Sequence, residues 1–155
     1  NSKIKTDISI KDSLMNNIKY VASDRDGNEY KIKSEFAEID SDQIELILMT
    51  NVNGVIKFIN STPINISADK AIYNKLNHDT NFYSNVRVDY DEHHILSNNL
   101  DLFFEDSFAT ITKNIIYKNL NTELHADKIE IDLTTKNSKI FMNDKNKKVK
   151  IVTLN

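Results

Sequence analysis

The adjacent histidines His93 and His94 are the side chains of this sequence with the clearest potential for chemistry. Imidazole nitrogens bind transition metals, and such a site needs three or four ligands that converge on one ion. Successive residues of a strand point to opposite faces of a sheet, so these two rings would diverge. No carboxylate lies at a spacing typical of a metal site, while His78 and His125 stand alone. The pattern therefore favours a solvated turn, and no metal site is predicted.

Pairs of carboxylates are the second arrangement that can support chemistry, because one acid and one base suffice for many hydrolytic reactions. Such a pair needs a cleft that drives the two pKa values apart, and the sequence gives no sign of one. The pairs fall instead in turns or on polar strand faces: Asp24 and Asp26, Asp40 and Asp42, Glu105 and Asp106, Glu130 and Asp132. Motifs for a nucleophile or a glycine-rich phosphate loop are also lacking. We therefore expect a protein that is not an enzyme and uses no cofactor.

Length and composition limit the remaining classes of function. At 155 residues the chain can form one domain with its own core. A net charge of −3 gives no strong field for nucleic acid or acidic lipid, and the absence of cysteine excludes disulfides and thiolate metal sites. The sequence contains no run of about 18 apolar residues that would span a bilayer. Because it begins at Asn1 rather than methionine, we expect a targeting or anchoring segment upstream.

The stretch 64–104 organises the rest of the chain through its alternation of apolar and polar residues. Val86 and Val88 alternate with charged residues, and Leu100 and Leu102 repeat the pattern. A period of two residues is typical of a strand with one apolar face and one wet face. The stretch therefore predicts short strands that share a single apolar face.

A polar signal recurs around this stretch with a fixed period. Ala68, Ser97 and Ala126 each begin a polar triplet that is followed by a strand-like run. Their spacing is 97 − 68 = 29 and 126 − 97 = 29 residues. A fixed period of this length indicates a repeated supersecondary unit. The remainder of the chain is therefore expected to extend a stack of similar units.

Strands are predicted along most of the chain, and no stretch of ten or more residues has convincing helical periodicity. Residues 1–17 are interpreted as an N-terminal arm, partly helical near 13–17. Residues 24–28 and 51–54 are predicted to be turns, because glycine and asparagine tolerate left-handed backbone conformations. Outside the central stretch, the predicted strands cover residues 18–22, 29–36, 44–52, 55–59, 108–112, 115–120, 124–133, 138–142 and 149–154. The predicted fold class is all-β.

The apolar alternation admits two interpretations. Inward apolar faces are found in any β-sandwich, so a closed core that carries no ligand accounts for the pattern. A core that is left open enough to hold a hydrocarbon ligand accounts for it equally well. Periodicity alone does not separate the two.

Several ordered motifs resemble a known family. Residues 18–20 and 24–32 resemble the N-terminal signature of the LptC family, the single-span inner-membrane component of the lipopolysaccharide export bridge. Residues 66–74 and 83–88 resemble the repeat of the wider LptA/LptC/OstA superfamily, with Ser84 where that repeat usually has glycine. The Asp-Gly hairpin ahead of the repeats favours LptC over LptA.

The resemblance implies a twisted, open β-jellyroll of antiparallel strands over residues 18–155, following the arm 1–17. It implies that lipopolysaccharide acyl chains lie inside the jellyroll while the sugar head stays outside. The implied partners are the LptB/F/G transporter at the N-terminal end and LptA at the C-terminal edge. The implied location is the periplasmic face of the inner membrane, with a single-pass anchor upstream of this sequence.

Two sets of site residues follow from the alternation and the resemblance. The residues predicted to bind lipid are Ile64, Ile66, Val86, Val88, Leu100, Leu102, Phe104, Ile129, Ile131 and Ile140. The residues predicted to contact partners are Ile18, Tyr20, Phe141, Met142, Val149 and Ile151. A charge introduced at Val88 and Leu102 is expected to abolish lipopolysaccharide crosslinking and to leave the far-UV circular dichroism unchanged. The alternatives are a soluble LptA-like bridge protein that self-associates end to end, and a β scaffold with no lipid site.

Overall fold

The computed structural model of the protein describes residues 14–142 and 149–153. These residues form one antiparallel sheet whose strands follow the order of the chain. The strands are β1 (Leu14–Ser23), β2 (Glu29–Ile39), β3 (Leu46–Lys57), β4 (Ile64–Asn74), β5 (Thr80–Tyr90), β6 (His93–Phe103), β7 (Phe108–Lys118), β8 (Glu123–Asp132), β9 (Asn137–Phe141) and β10 (Val149–Thr153). Within this described part, β1 and β10 each pair with one neighbour, so the sheet has two open edges. The prediction of an all-β, open jellyroll is confirmed.

Some local predictions are wrong, and one of them is the break between the strands predicted over 108–112 and 115–120, which lies within the continuous strand β7. The turn predicted at 51–54 is the middle of β3, which runs unbroken and pairs with β2 on one side and β4 on the other. The helical turn predicted near 13–17 is absent from the described residues 14–17, which begin β1 and pair with β2, as in Met15 opposite Ala37. Residues 1–13 of the predicted N-terminal arm and residue 154 of the last predicted strand lie outside the described residues.

A line of bends crosses the sheet at the middle of the strands. Left-handed backbone conformations occur there in β1 (Asn17), in β3 (Asn51), in β5 (Ser84 and Asn85) and in β7 (Lys113 and Asn114). The pairing registers of β4 to β8 shift at the same level, as expected for β-bulges. Because β-bulges increase the local twist, the row of bends lets the sheet curl.

The even-numbered strands carry small buried residues at this level: Ser34, Ala68, Ser97 and Ala126. Three of them are the residues that recur at intervals of 29 in the sequence. The left-handed pair in β5 and the pair in β7 are separated by the same interval, 113 − 84 = 29. The sequence repeat therefore corresponds to one pair of strands together with its bends.

The bends coil the sheet until its two halves face each other. Tyr20 of β1 stacks on Tyr73 of β4 with a centroid distance of 4.8 Å, whereas strands three apart in a flat sheet lie about 14 Å apart. Tyr30 of β2 packs edge-on against Phe104 at 4.8 Å. We call the line on which these side chains meet the seam.

The seam continues between the β3–β4 turn and the β8–β9 turn. There the Lys136 ammonium contacts the Ser61 hydroxyl and lies 4.9 Å from the centre of the Phe58 ring. At all three points the contacts across the seam are made by side chains. They enclose a single apolar interior whose largest fully buried side chains include Phe82, Met49 and Leu100.

Replacing Ser84 or Lys113 with glycine is expected to stabilise the protein by roughly 0.5–1 kcal/mol. Both residues have a positive φ, 64° and 68°, and glycine adopts this conformation without the steric cost that a Cβ imposes. Thermal unfolding should show a rise in Tm of roughly 2 °C. Lys33→Gly is the matched control, because Lys33 lies in β2 at an ordinary strand φ, and it should lower Tm. The explanation fails if Lys33→Gly and Lys113→Gly shift Tm in the same direction.

Candidate functional site

The residues predicted to bind lipid lie on the interior face of the coiled sheet. Nine of them are buried: Ile64, Ile66, Val86, Val88, Leu100, Leu102, Ile129, Ile131 and Ile140. Phe104 is partly buried and packs against Tyr30 and His78. The period-two alternation therefore identified the inward face correctly. That these residues contact lipid remains a prediction.

The described residues enclose two apolar cavities in this interior, each with a volume of about 20 Å³. The first cavity is enclosed mainly by β1 to β6, and its lining includes Tyr20, Tyr30, Ile66, Tyr73, His78, Phe82 and Leu102. The second is enclosed by β4 to β9, and its lining includes Ile64, Val88, Tyr90, His93, Tyr117, Ile129 and Ile140. A volume of this size holds about one water molecule, while small-molecule pockets usually reach about 300–1,000 Å³. In this conformation, side chains fill most of the space that an acyl chain would need.

Val86 and Leu100 belong to the filled centre of the interior. Both are fully buried, and neither lines a cavity. Of the ten predicted residues, Ile66 and Leu102 line the first cavity, whereas Ile64, Val88, Ile129, Ile131 and Ile140 line the second. The predicted set is thus spread along the whole interior rather than gathered at one point.

Each cavity contains one histidine that is hydrogen-bonded to a tyrosine. In the first cavity the Tyr73 hydroxyl lies 2.6 Å from His78 Nδ1, and in the second the Tyr117 hydroxyl lies 2.6 Å from His93 Nδ1. Burial raises the pKa of Tyr73 to about 12 and also raises the pKa of Tyr117. Both phenols are therefore protonated at neutral pH and are able to donate to a histidine.

The sequence pattern did not reveal these pairs. His93 was expected in a solvated turn, but it begins β6, is partly buried and contacts Tyr117 on the neighbouring strand β7. His94 fits the expectation better, because it is half-exposed and lies 2.6 Å from a carboxylate oxygen of Asp89. Burial has the largest single effect on the pKa of Asp89 and raises it, but the hydrogen bonds from Arg87 and His94 together outweigh burial and leave this pKa below its usual value. The two adjacent rings thus have different partners, as their opposite faces predict.

The carboxylate pairs organise turns. Asp24 accepts hydrogen bonds from the backbone N–H groups of Asp26 and Asn28 and from the Tyr30 hydroxyl. Asp40 accepts from the backbone of Asp42 in the same way. Over the described ranges, no group of three or more histidine, aspartate and glutamate side chains could hold a metal ion.

The residues predicted to contact partners lie in or next to the two edge strands. Ile18 and Tyr20 are in the edge strand β1, but their side chains pack against the core, with Tyr20 stacked on Tyr73. At the other end Phe141 lies under the Lys128 ammonium, and Met142 packs against the core. Val149 and Ile151 belong to β10, which pairs with β9 on one side. Each of the two edge strands, β1 and β10, therefore leaves one side of its backbone without a paired strand in the described residues.

A single coiled sheet with an apolar interior and two unpaired edges defines the protein as a β-jellyroll of the open class. A sequence model of the family described as "Lipopolysaccharide-assembly, LptC-related" matches residues 2–145. The chain therefore belongs to the LptC family, whose members take part in lipopolysaccharide transport at the cell envelope. A search of curated proteins gives no match.

No helix in the part of the chain that the structure describes is long and apolar enough to cross a membrane.

Proposed function

We propose that the protein is a conduit for lipopolysaccharide on the periplasmic face of the inner membrane. In this proposal the LptB/F/G transporter delivers lipopolysaccharide at the N-terminal end, next to β1. The acyl chains pass through the interior, and an LptA-like protein receives them at the C-terminal edge, next to β10. The observation that carries the proposal is an apolar interior that extends between two open sheet edges.

The open edges suit end-to-end assembly with other jellyrolls. An edge strand exposes a row of unpaired N–H and C=O groups, which is a hazard for a protein that acts alone. A second jellyroll can pair with such an edge by β-augmentation and continue the sheet. Because the sheet is coiled, such pairing would also extend the apolar interior into the neighbouring molecule.

The energetics of a hydrocarbon ligand favour this arrangement. Burying one acyl chain is worth on the order of 10 kcal/mol, at about 0.8 kcal/mol per methylene. A lipid so bound would rarely leave for water. Transfer into the similar interior of a neighbouring jellyroll costs little free energy, because the acyl chain stays buried. The protein then needs no catalytic residue, and the work is supplied by the transporter upstream.

The filled interior requires the coil to loosen before lipid is loaded. The contacts at the seam are the ones to break first, because they are made by side chains: Tyr20 with Tyr73, Tyr30 with Phe104, and Lys136 with Ser61 and Phe58. The backbone ladders between consecutive strands would remain intact. We therefore propose that acyl chains enter sideways, through the seam.

A charge in the interior is a poor test of this function. Val88 and Leu102 are only 3% and 6% exposed, so an unpaired charge at either position would lose its hydration without gaining a partner. We now expect such variants to be destabilised, contrary to the expectation that their circular dichroism stays unchanged. A probe that preserves the packing is needed instead.

Photo-crosslinking at neighbouring phenylalanines provides that probe. Phe104 packs inward against Tyr30, whereas Phe103 points outward and is 37% exposed. With p-benzoyl-phenylalanine at position 104, irradiation in cells that export lipopolysaccharide should give a crosslinked product that anti-lipopolysaccharide antibody detects. The same amino acid at position 103 is the matched control and should give little product.

The outcome at these two positions distinguishes the candidate functions. Crosslinking at 103 but not at 104 would contradict lipid transport through the interior. A second candidate is a β scaffold with no lipid site, which the filled interior favours. That candidate predicts no crosslinked lipid at either position.

A further inference from the structure

We infer that the Lys136 ammonium binds a phosphate group at the head of the lipid whose acyl chains enter through the seam, because this ammonium lies at the seam with neutral partners. The ligand class is an acidic glycolipid, as distinct from a neutral one. This inference rests on the proposed function and adds to it the position of the lipid head, next to the turn between β8 and β9.

The partners of the Lys136 ammonium carry no charge. The ammonium contacts the Ser61 hydroxyl and lies 4.9 Å from the centre of the Phe58 ring on the other side of the seam. Within the described ranges no carboxylate forms an ion pair with it, whereas Lys118 and Lys128 each have one. Lys136 is partly buried and Phe58 is buried. The ammonium has therefore lost part of its hydration without meeting an opposite charge.

The turn between β8 and β9 fixes the backbone from which this ammonium extends. The Lys136 N–H group donates to the Asp132 carbonyl oxygen at 2.7 Å. The Asp132 carboxylate accepts hydrogen bonds from the backbone N–H groups of Thr134 and Thr135, at 2.9 and 3.1 Å. This carboxylate is therefore bonded to the turn itself rather than to the ammonium, and Lys136 is the charged residue of the turn 133–136.

Loosening of the coil would free the ammonium at the moment when lipid enters. Phe58 and Ser61 both belong to the turn between β3 and β4, so separation of the two halves removes both partners together. A phosphate is the better replacement, because a charge-assisted hydrogen bond is about twice as strong as a neutral one. Ile64 follows the same turn and lines the second cavity. A lipid with its acyl chains in this interior would have its polar head near Lys136.

The neighbouring stretch of the seam is acidic. A crevice lies there between the β1–β2 turn and the β6–β7 turn. Besides the Arg25 guanidinium, its charged lining consists of four carboxylates, those of Asp24, Asp26, Glu105 and Asp106. Like charges repel over several ångströms, and salt weakens the repulsion. A phosphate is therefore disfavoured in the crevice and favoured at Lys136, and this contrast sets the position of the lipid head along the seam.

Chemically matched lipids test the inference. The probes are two synthetic lipid A analogues with the same acyl chains, one with both phosphates and one with neither. The wild-type protein should bind the phosphorylated form about five- to tenfold more tightly, the gain from one partly screened charge-assisted hydrogen bond. Lys136→Gln should remove most of this preference, whereas Lys136→Arg keeps the charge and should retain it. Burial of the acyl chains supplies most of the affinity, so both variants should still take up lipid.

A neighbouring lysine provides the matched control. Lys139 lies three residues further along, in β9, and is exposed, so Lys139→Gln should leave the preference for phosphate unchanged. If Lys136→Gln does not fold, the wild-type protein decides the question through salt, because its preference should fall at least about twofold between low and high ionic strength. A Lys136→Gln variant that keeps the full preference, or a wild-type preference that salt does not alter, overturns the inference.

Two further results separate this inference from its competitors. Inorganic phosphate alone should not raise the Tm of the wild-type protein, because Ser61 and Phe58 contact the ammonium while the seam is closed. A rise in Tm that Lys136→Gln abolishes would indicate a site for the free anion and overturn the inference. Equal affinity for the two analogues overturns recognition of phosphate but supports lipid binding by the interior. Binding of neither analogue overturns the proposed function and the inference with it.

Discussion

Joining position 61 to position 136 through introduced cysteines is expected to stop the interior from taking up lipopolysaccharide. In the folded protein Lys136 reaches Ser61 and Phe58 across the seam. A short bis-maleimide between Ser61→Cys and Lys136→Cys would hold the two turns together. Acyl chains could not then enter sideways, and the burial energy of each chain, on the order of 10 kcal/mol, would be unavailable. Crosslinking from p-benzoyl-phenylalanine at position 104 measures the uptake.

Controls for this experiment are available because the chain has no cysteine of its own. Lys33 and Asn53 are paired residues of β2 and β3 that both point outward. The same reagent between cysteines at these positions joins strands that are already hydrogen-bonded, so uptake should be unaffected. The 61/136 double variant without reagent should also load normally. Undiminished uptake by the joined protein would mean that lipid enters through the ends of the coil.

Phe82→Ala should cause the largest loss of stability, about 3–5 kcal/mol. Phe82 is 1% exposed, lies at the wall of the first cavity and closely approaches Gly54. Its removal would leave a void in the centre of the interior, where both halves of the coil meet. Thermal or urea unfolding should show the loss, with a fall in Tm of roughly 10 °C or more.

A matched surface substitution tests whether burial causes this loss. Phe36 is a strand phenylalanine that points outward and is 50% exposed, so Phe36→Ala should change stability by less than about 1 kcal/mol. Gly54→Ala probes the same contact from the other side, because its Cβ would lie 3.0 Å from Phe82 Cζ. It should be destabilising in the wild type and better tolerated in Phe82→Leu. Similar losses for Phe36→Ala and Phe82→Ala would contradict the assignment of the interior.

The fold class and the inward face of the sheet could be predicted from the sequence, because both depend on the local alternation of apolar and polar residues. This alternation correctly predicted that Ile64, Val88 and Leu100 lie on the buried face of the sheet. The continuity of the strands was harder to predict from the sequence, because a bend within a strand uses the same types of residue as a turn. Asn51 in β3 and Lys113 with Asn114 in β7 are left-handed, yet each strand continues past them. The prediction from the sequence therefore split both strands at their bends.

Whether the interior is filled by side chains or open to a ligand could not be predicted, because this depends on how tightly the sheet coils. Tyr20 and Tyr73 are 53 residues apart in the chain, 73 − 20 = 53, and meet only once three strands have curled. The Tyr117–His93 pair likewise joins residues 24 apart. Neither contact leaves a periodic signal. The open form of the sheet, by contrast, could be anticipated, because the resemblance to LptC implied an open jellyroll.

The order of the strands has a consequence for how the molecule comes into being. Every strand from β2 to β9 pairs with the strand before it and the strand after it, so each hairpin can zip onto its predecessor as soon as it leaves the ribosome or a secretion pore. Mostly local pairing of this kind is associated with fast folding. Pairing in chain order also allows a hairpin of about 29 residues to be inserted or deleted without changing how the remaining strands pair. The length of the coiled sheet is then an evolutionary variable that changes by one hairpin at a time.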